Sequence, residues 1–262
     1  MKRIIDQERV SQEQVKQITA QYLPEVKYIG DLGGVENGNI REEVLKQWIV
    51  SHQEKSQETA ERAIKELKKE ACGCDRWENL KDAGEAVYNL LRYGTSVYGG
   101  AGKQSERVEY IDWRHPENNI YELAEEVTVR CSGGSSSTRR PDIVLYVNGI
   151  ALVVLELKRS SVSVREGIRQ SYRNQQTGEI PQFFTTVQLV LAGNSSEGLY
   201  YGTTATEEKY FLKWKEMTGE SKDLKGIFPM YGKEEEKVED DLLRGWLQIV
   251  TPWRLLELIH DL

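Results

Sequence analysis

The stretch R139-R-P-D-I-V-L-Y-V-N-G-I-A-L-V-V-L-E-L-K-R-S160 is the most apolar run of the chain, yet it carries Asp142, Glu156 and Lys158. Asn148-Gly149 sits between two β-branched runs, a pairing that favours the tight turn of a β-hairpin. Side chains alternate along a strand, so Glu156 and Lys158 share one face of the second strand, about 7 Å apart. A strict two-residue turn at 148–149 would pair residue 147 with 150 and hence Asp142 with Leu155. Asp142 would then point to the opposite face from Glu156. Two readings stay open at this point. Either Glu156 and Lys158 flank the exposed end of a strand, or they converge with Asp142. Convergence requires an odd loop, a bulge, or a first strand that leaves register near Pro141.

Convergence has a chemical rationale. Two carboxylates at one point repel unless a divalent cation joins them, and hard oxygen ligands suit Mg2+. A cation held there polarises a phosphoryl oxygen and activates water. A lysine beside it stabilises the charge that builds on phosphate.

The elements around the stretch imply an α/β fold, a central mixed sheet flanked by helices. Residues 1–40 start as a short polar helix and enter the Gly-rich G30-D-L-G-G-V-E-N-G-N39. Val44, Leu45, Trp48 and Ile49 recur at helical spacing, as do Ala60, Ala63, Ile64 and Leu67. Residues 83–94 form another helical pattern, ending at Gly94. Then S105-E-R-V-E-Y-I-D-W113 and Y121-E-L-A-E-E-V-T-V-R130 alternate as strands. S163-V-R-E-G-I-R-Q-S-Y-R-N-Q175 reads as a crossover helix, T186-V-Q-L-V-L-A-G-N194 and L199-Y-Y-G-T-T-A205 as strands, and E207-E-K-Y-F-L-K-W-K-E216 as a short helix. The expected division is an N-terminal extension (1–40), a central unit with a helical start (41–215), and an acidic then helical segment (216–262).

The chain has 262 residues, a net charge of −7 and 39% hydrophobic residues, the profile of a soluble globular protein. No apolar run reaches membrane-spanning length and the N-terminus lacks a signal-peptide core, so no membrane is expected and cytoplasm is the expected compartment. Between Arg130 and Arg173 eight Lys/Arg face three acids, a local anion-binding signal in an acidic chain. Cys72, Cys74 and Cys131 are too few for a disulfide framework. Cys72 and Cys74 are either ordinary thiols or half of a metal site with no second pair at zinc spacing. Y98-G-G-A-G-K-Q-S105 has Val97 and Gln104 where a phosphate loop needs Gly and Ser or Thr, so it reads as a plain loop. His52, His115 and His260 read as surface or packing residues. S132-G-G-S-S-S-T-R-R140 is either a polar hairpin loop or a loop that brings Arg139 and Arg140 to a DNA phosphate.

Pro141-Asp142 with Glu156-Leu157-Lys158 resembles the PD-(D/E)xK nuclease signature. The wider text, I111-D-W-R-H-P-E-N-N119 before it and I180-P-Q-F-F-T-T-V-Q-L-V-L-A-G-N194 after it included, is similar to the endonuclease region of the R subunit of type I restriction enzymes. The resemblance runs from about Arg41 to Trp214. It implies a restriction-endonuclease-like core and a Mg2+-dependent DNA endonuclease, in which Asp142 and Glu156 bind the metal and Lys158 is catalytic. It also implies a further carboxylate from an upstream helix, assigned to Glu42 or Glu43, and a Q-x-x-x-Y element. Gln170 fits its first position, but Asn174 stands where the tyrosine belongs, and Tyr172 is turned by about 200°. Arg139, Arg140, Arg159, Arg165 and Arg169 are the expected DNA-phosphate contacts. The family acts on double-stranded DNA with methylation and specificity subunits, and ATP serves a motor expected beyond T251-P-W-R-L-L-E-L-I-H-D-L262. The same residues fit two other functions, a catalytically silent DNA-binding or docking module and a repair or recombination nuclease.

Overall fold

A computed structural model describes residues 7–34, 37–71, 79–98, 104–132, 136–215 and 238–261. Four helices appear in the first third: α1 (Gln7–Tyr22), α2 (Glu42–His52), α3 (Gln57–Ala71) and α4 (Leu80–Tyr93). The strands are β1 (Val26–Asp31), β2 (Thr95–Tyr98), β3 (Ser105–Val108), β4 (Tyr121–Glu125), β5 (Val129–Arg130), β6 (Thr138–Arg139), β7 (Ile143–Val147) and β8 (Ile150–Leu157). The crossover helix α5 (Val164–Asn174) and the single turn α6 (Pro181–Phe184) follow. Then come β9 (Leu189–Asn194), β10 (Gly198–Gly202), β11 (Leu212–Lys213), α7 (Asp241–Val250) and α8 (Pro252–His260).

Seven strands form one mixed sheet in the order β1-β4-β7-β8-β9-β10-β11, with β1/β4 and β8/β9 parallel and the other pairs antiparallel. Helices cover both faces, the expected α/β class. Val15, Leu45, Trp48, Leu67, Leu91 and Trp246 pack one face, from α1–α4 and α7. Val164, Ile168, Phe183 and Phe184 of α5 and α6 pack the other. Segments on either side of 41–215 share this core: β1 pairs with β4, and α7 packs on β10 and α1. No described helix is long and apolar enough to cross a membrane.

The hairpin decides where the site lies. Asn148 (φ 51°) and Gly149 (φ 79°) both occupy the left-handed region, as a type I′ turn requires. The turn is held from outside as well. The Asn148 Oδ1 accepts from the Ile120 N–H at 2.8 Å, and its Nδ2 donates to the Tyr110 and Asn119 oxygens. Pairing starts at Val147 with Ile150 and then shifts by one residue, so that Leu145 faces Val153 and Ile143 faces Leu155. The extra residue is visible in the core: Leu152 and Val153 both turn toward the α1–α4 face, whereas Ala151 and Val154 turn toward α5. This bulge reverses the parity of the second strand, and the next pair outward is Asp142 opposite Glu156.

Three expected elements differ. The strand read over 121–130 breaks at Glu126 (φ 52°), whose backbone leaves the extended region and hands the chain to β5. The expected strand at 105–113 ends at Val108, and the expected helix at 207–216 is a 3-10 turn (Glu208–Tyr210) followed by β11. Phe211 lays its ring on Gly202, and the Trp214 N–H bonds the Leu199 carbonyl, which draws this segment onto the sheet edge.

Candidate active site

Asp142, Glu156 and Lys158 meet where β7 begins and β8 ends, on the face covered by α5. The Asp142 Oδ2 accepts from the Leu157 N–H at 2.7 Å, which fixes the carboxylate beside its neighbour's backbone. The Lys158 ammonium donates to the Glu156 Oε1 at 3.0 Å and to the Leu157 carbonyl at 2.8 Å. Glu156 is 1% exposed, and its Oε2 has no hydrogen-bond partner. A buried carboxylate oxygen without a donor is costly unless something else occupies that position. Gly167 of α5 closes the site from above. A Cβ there would touch the Lys158 Cγ and the Ala192 Cβ at 3.4 Å, and the Glu156 Cγ at 3.6 Å, so the glycine brings the helix backbone close.

Burial pushes Asp142 up to about 6, against the Leu157 N–H and the Lys158 charge, which both favour the carboxylate. Glu156 stands well above the usual carboxylate range, through burial first and the Asp142 charge second. Burial opposes the Lys158 ammonium, yet Glu156 and Asp142 together hold its pKa above the ordinary lysine value. Without a cation, the two carboxylates share one ammonium that cannot satisfy both.

Two further carboxylates border the pair. Glu8 of α1 raises the Asp142, Glu156 and Lys158 pKa values through its charge, and it lies 4.0 Å from Arg159. Glu126 donates its backbone N–H to the Asp142 carbonyl at 3.0 Å. Its side chain accepts from the Gln12 Nε2 at 3.0 Å and lies 3.5 Å from Arg140. Sequence reasoning missed both. Glu8 lies in a polar helix with no signature of its own, and Glu126 sits inside an apparently unbroken strand.

Glu42 and Glu43, expected as the upstream carboxylate, are not brought to the pair. The Arg41 N–H bonds the Gly149 carbonyl, which sets the start of α2 against the turn end of the hairpin. Six residues of β8 separate that end from Glu156, about 20 Å at roughly 3.3 Å per residue. There Glu42 pairs with Lys68 at 2.5 Å.

The expected DNA contacts divide into groups. Arg140 and Arg159 border the site, through Glu126 and Glu8 respectively. Arg139 turns away to Glu179 at 2.5 Å. Arg165 and Arg169 lie two residues to either side of Gly167, about 160° round the helix from it, and both pair with Glu208. They face away from the carboxylate pair, and Glu208 holds both on the outer side of α5. Gln170 lies on the flank of α5 next to Gly167 and makes no hydrogen bond with the described residues. Asn174 is buried on the Gly167 side of α5, and Tyr172 is exposed.

A hard cation fits the chemistry of the donors: two carboxylates, one orphaned oxygen and the Leu157 carbonyl beside them. Among the described residues no group of three or more His, Cys, Asp or Glu could hold a metal. Mg2+ is commonly bound by one or two carboxylates completed by water and substrate phosphate, so a pair is sufficient. Cys72 and Cys74, residues 99–103 and residues 133–135 of the polar loop lie outside the described residues. His52 pairs with Asp112 and stacks on Trp48, and His260 lies edge-on to Trp113, packing roles far from the pair.

A model of the type I restriction enzyme R protein N terminus matches residues 10–209. The chain is 32% identical over 131 residues to a putative type I restriction enzyme MjaVIIIP endonuclease subunit of Methanocaldococcus jannaschii, covering 48% of the chain and 12% of that protein. It is 29% identical over 186 residues to the type I restriction enzyme HindI endonuclease subunit of Haemophilus influenzae, covering 67% of the chain and 16% of that protein. The chain thus spans a small fraction of these relatives' length.

Proposed function

Because the chain belongs to the family of type I restriction enzyme R protein N-terminal regions, we propose that it is a Mg2+-dependent DNA endonuclease module with a PD-(D/E)xK core. One observation carries the reading: the bulged hairpin brings the half-buried Asp142 to the buried Glu156 beside a lysine, and leaves one Glu156 oxygen without a partner.

Asp142, Glu156 and the Leu157 carbonyl would hold the cation, which when bound lowers the pKa of water and polarises the phosphoryl oxygen. The Leu157 N–H orients Asp142 throughout. Lys158, which donates to the Glu156 Oε1 at 3.0 Å, would be the group that positions the attacking water and balances the negative charge that grows on the phosphate. Glu8, rather than Glu42 or Glu43, is the upstream-helix carboxylate of this site. Arg140 and Arg159 bind the flanking phosphates without reading sequence, and Gln170 borders the substrate from α5. In the longer protein this module would cut unmodified DNA away from the recognition site. Cutting would follow ATP-driven translocation by a motor in another part of the protein, with methylation and specificity subunits as partners.

The test uses the longer protein, reconstituted with both partner subunits, ATP and Mg2+. Asp142→Ala and Lys158→Ala should each abolish double-strand cleavage while ATP hydrolysis continues. Unimpaired cutting by either variant sinks the assignment. Loss of translocation along with cleavage would instead indicate a docking module.

A further inference from the structure

We infer that Gln12 and Glu126 are positioning residues for Arg140, holding its guanidinium at the edge of the Asp142–Glu156 pair for a DNA backbone phosphate. The inference rests on the nuclease reading for the identity of its ligand.

Arg140 stands two residues before Asp142, and its side chain is 57% exposed. It meets the protein through Glu126, whose Oε2 lies 3.5 Å from the Arg140 Nη1. A long side chain loses rotamer freedom when it binds a phosphate, and one that is already held loses less.

Glu126 does the holding from a fixed place. Its φ of 52° is uncommon for a residue with a side chain, and a glycine would turn this corner at lower cost. The corner is bonded to the site. The Glu126 N–H donates to the Asp142 carbonyl at 3.0 Å, and the Val127 N–H donates to the Pro141 carbonyl at 3.2 Å. The second carboxylate oxygen is also engaged, since the Glu126 Oε1 accepts from the Gln12 Nε2 at 3.0 Å. Gln12 is buried, Glu126 half-buried and Arg140 exposed, so order passes outward from packed helix to solvent-facing cation.

Helix α1 is placed to supply that order. Glu8, Gln12 and Lys16 recur every fourth residue and so share one row of the helix. Glu8 lies 4.0 Å from Arg159, just past β8. Lys16 donates to the Glu125 Oε1 at 3.1 Å and lies 3.0 Å from its Oε2, at the last residue of β4. Strands β4 and β8 flank β7, two strand spacings or about 9.5 Å apart. Eight residues of helix span about 12 Å, enough to cross from one to the other. The row therefore runs over the end of the sheet where Asp142 and Glu156 lie, and its middle member reaches Glu126.

The experiment measures binding of a labelled duplex to the 262-residue chain by fluorescence anisotropy across a salt series. Arg140→Gln should reduce the salt slope by about one, the share of a single phosphate contact. Glu126→Gln removes a negative charge near the duplex while keeping an oxygen for Gln12, and Gln12→Leu changes no charge. Positioning requires each to weaken binding roughly two- to tenfold at low salt, and to change nothing further in the Arg140→Gln background. Charge alone would give the opposite sign, tighter binding by Glu126→Gln and no change in Gln12→Leu. Should Gln12→Leu fail to fold, Glu126→Gln and its double variant with Arg140→Gln decide. Binding by Glu126→Gln at or above the wild-type level, an equal loss in the Arg140→Gln background, an unchanged slope in Arg140→Gln, or no duplex binding by the wild-type chain overturns the proposal. Cleavage in the reconstituted complex separates the two failures. If Asp142→Ala abolishes cutting while Glu126→Gln binds as tightly as wild type, only the positioning of Arg140 falls. If Glu126→Gln weakens binding through Arg140 while Asp142→Ala still cuts, only the catalytic assignment falls.

Discussion

At the scale of single residues, the site stores instability. Asp142 has its pKa raised to about 6 by burial, above the roughly 3.9 of an unfolded aspartate. The folded state therefore binds the proton more tightly than the unfolded state does. The favourable contribution is complete below about pH 4 and is lost as pH rises through about 6, because the ionised pair repels in a buried place. Asp142→Asn removes this repulsion while keeping an oxygen for the Leu157 N–H. In a chelator at pH 7.5 it should stabilise the chain by about 2 kcal/mol, with the gain vanishing below pH 4, as read from urea denaturation at both pH values. Destabilisation at pH 7.5 would mean that the pair is not strained. The same linkage acts on the cation. Mn2+ binding followed by calorimetry should release protons and strengthen from pH 5 to 8, and Glu156→Gln should abolish it. Asp142, Glu156 and Lys158 were legible in the sequence because they are close in the chain and belong to one hairpin. Glu8 and Glu126 were not, since each arrives by packing across more than a dozen residues and carries no local pattern.

The element on which the site depends is the β7–β8 hairpin, whose turn and bulge act in opposite senses. The Asn-Gly turn alone would put Asp142 opposite Leu155, and the extra residue at Leu152–Val153 restores the match with Glu156. Period-two counting exposed the conflict, but the position of the bulge depends on packing against the α1–α4 face, which no short stretch encodes. The turn itself is more than a reversal. Asn148 is fully buried and satisfies the Ile120 N–H as well as the Tyr110 carbonyl. Asn148→Ala leaves both buried groups unpaired and should lower stability by about 2–4 kcal/mol, measured by urea denaturation. A loss within 0.5 kcal/mol would show that the turn is held by backbone conformation alone. Gly149→Ala should also destabilise, because a Cβ would stand 2.7 Å from the Arg41 carbonyl oxygen at a positive φ. Elsewhere the apolar periodicity of α2 and α3 was enough to find them. The edge strand β1 escaped because V26-K-Y-I-G-D31 is mostly half-exposed or exposed and pairs in parallel with the distant β4.

For the whole molecule, charge and connectivity both look different once folded. The basic window of residues 130–173 is neutralised largely by acids outside it, the nearby Glu126 and Glu179 and the more remote Glu208 and Glu8. A running sum along the chain separates partners that the sheet brings together. Connectivity links the two ends of the described chain to the site. Helix α1 carries Glu8 and Gln12 to the carboxylate pair, and α7 holds α1 in place: the Trp246 Nε1–H donates to the Thr19 Oγ1 at 2.8 Å. Trp246, Leu247 and Val250 are all fully buried in that contact layer. The C-terminal helices thus set the position of a carboxylate that lies more than 200 residues earlier in the sequence. Trp246→Phe removes the hydrogen bond while keeping most of the apolar volume, and should cost about 1–2 kcal/mol of global stability. Its more specific effect should be local. Hydrogen exchange should rise in α1 and, with Glu8 less firmly placed, Mn2+ affinity at the Asp142–Glu156 pair should fall several-fold, while exchange in the β7–β8 hairpin stays slow. Uniform loss of protection across α1 and the hairpin would mean that Trp246 serves the core as a whole rather than the placement of α1.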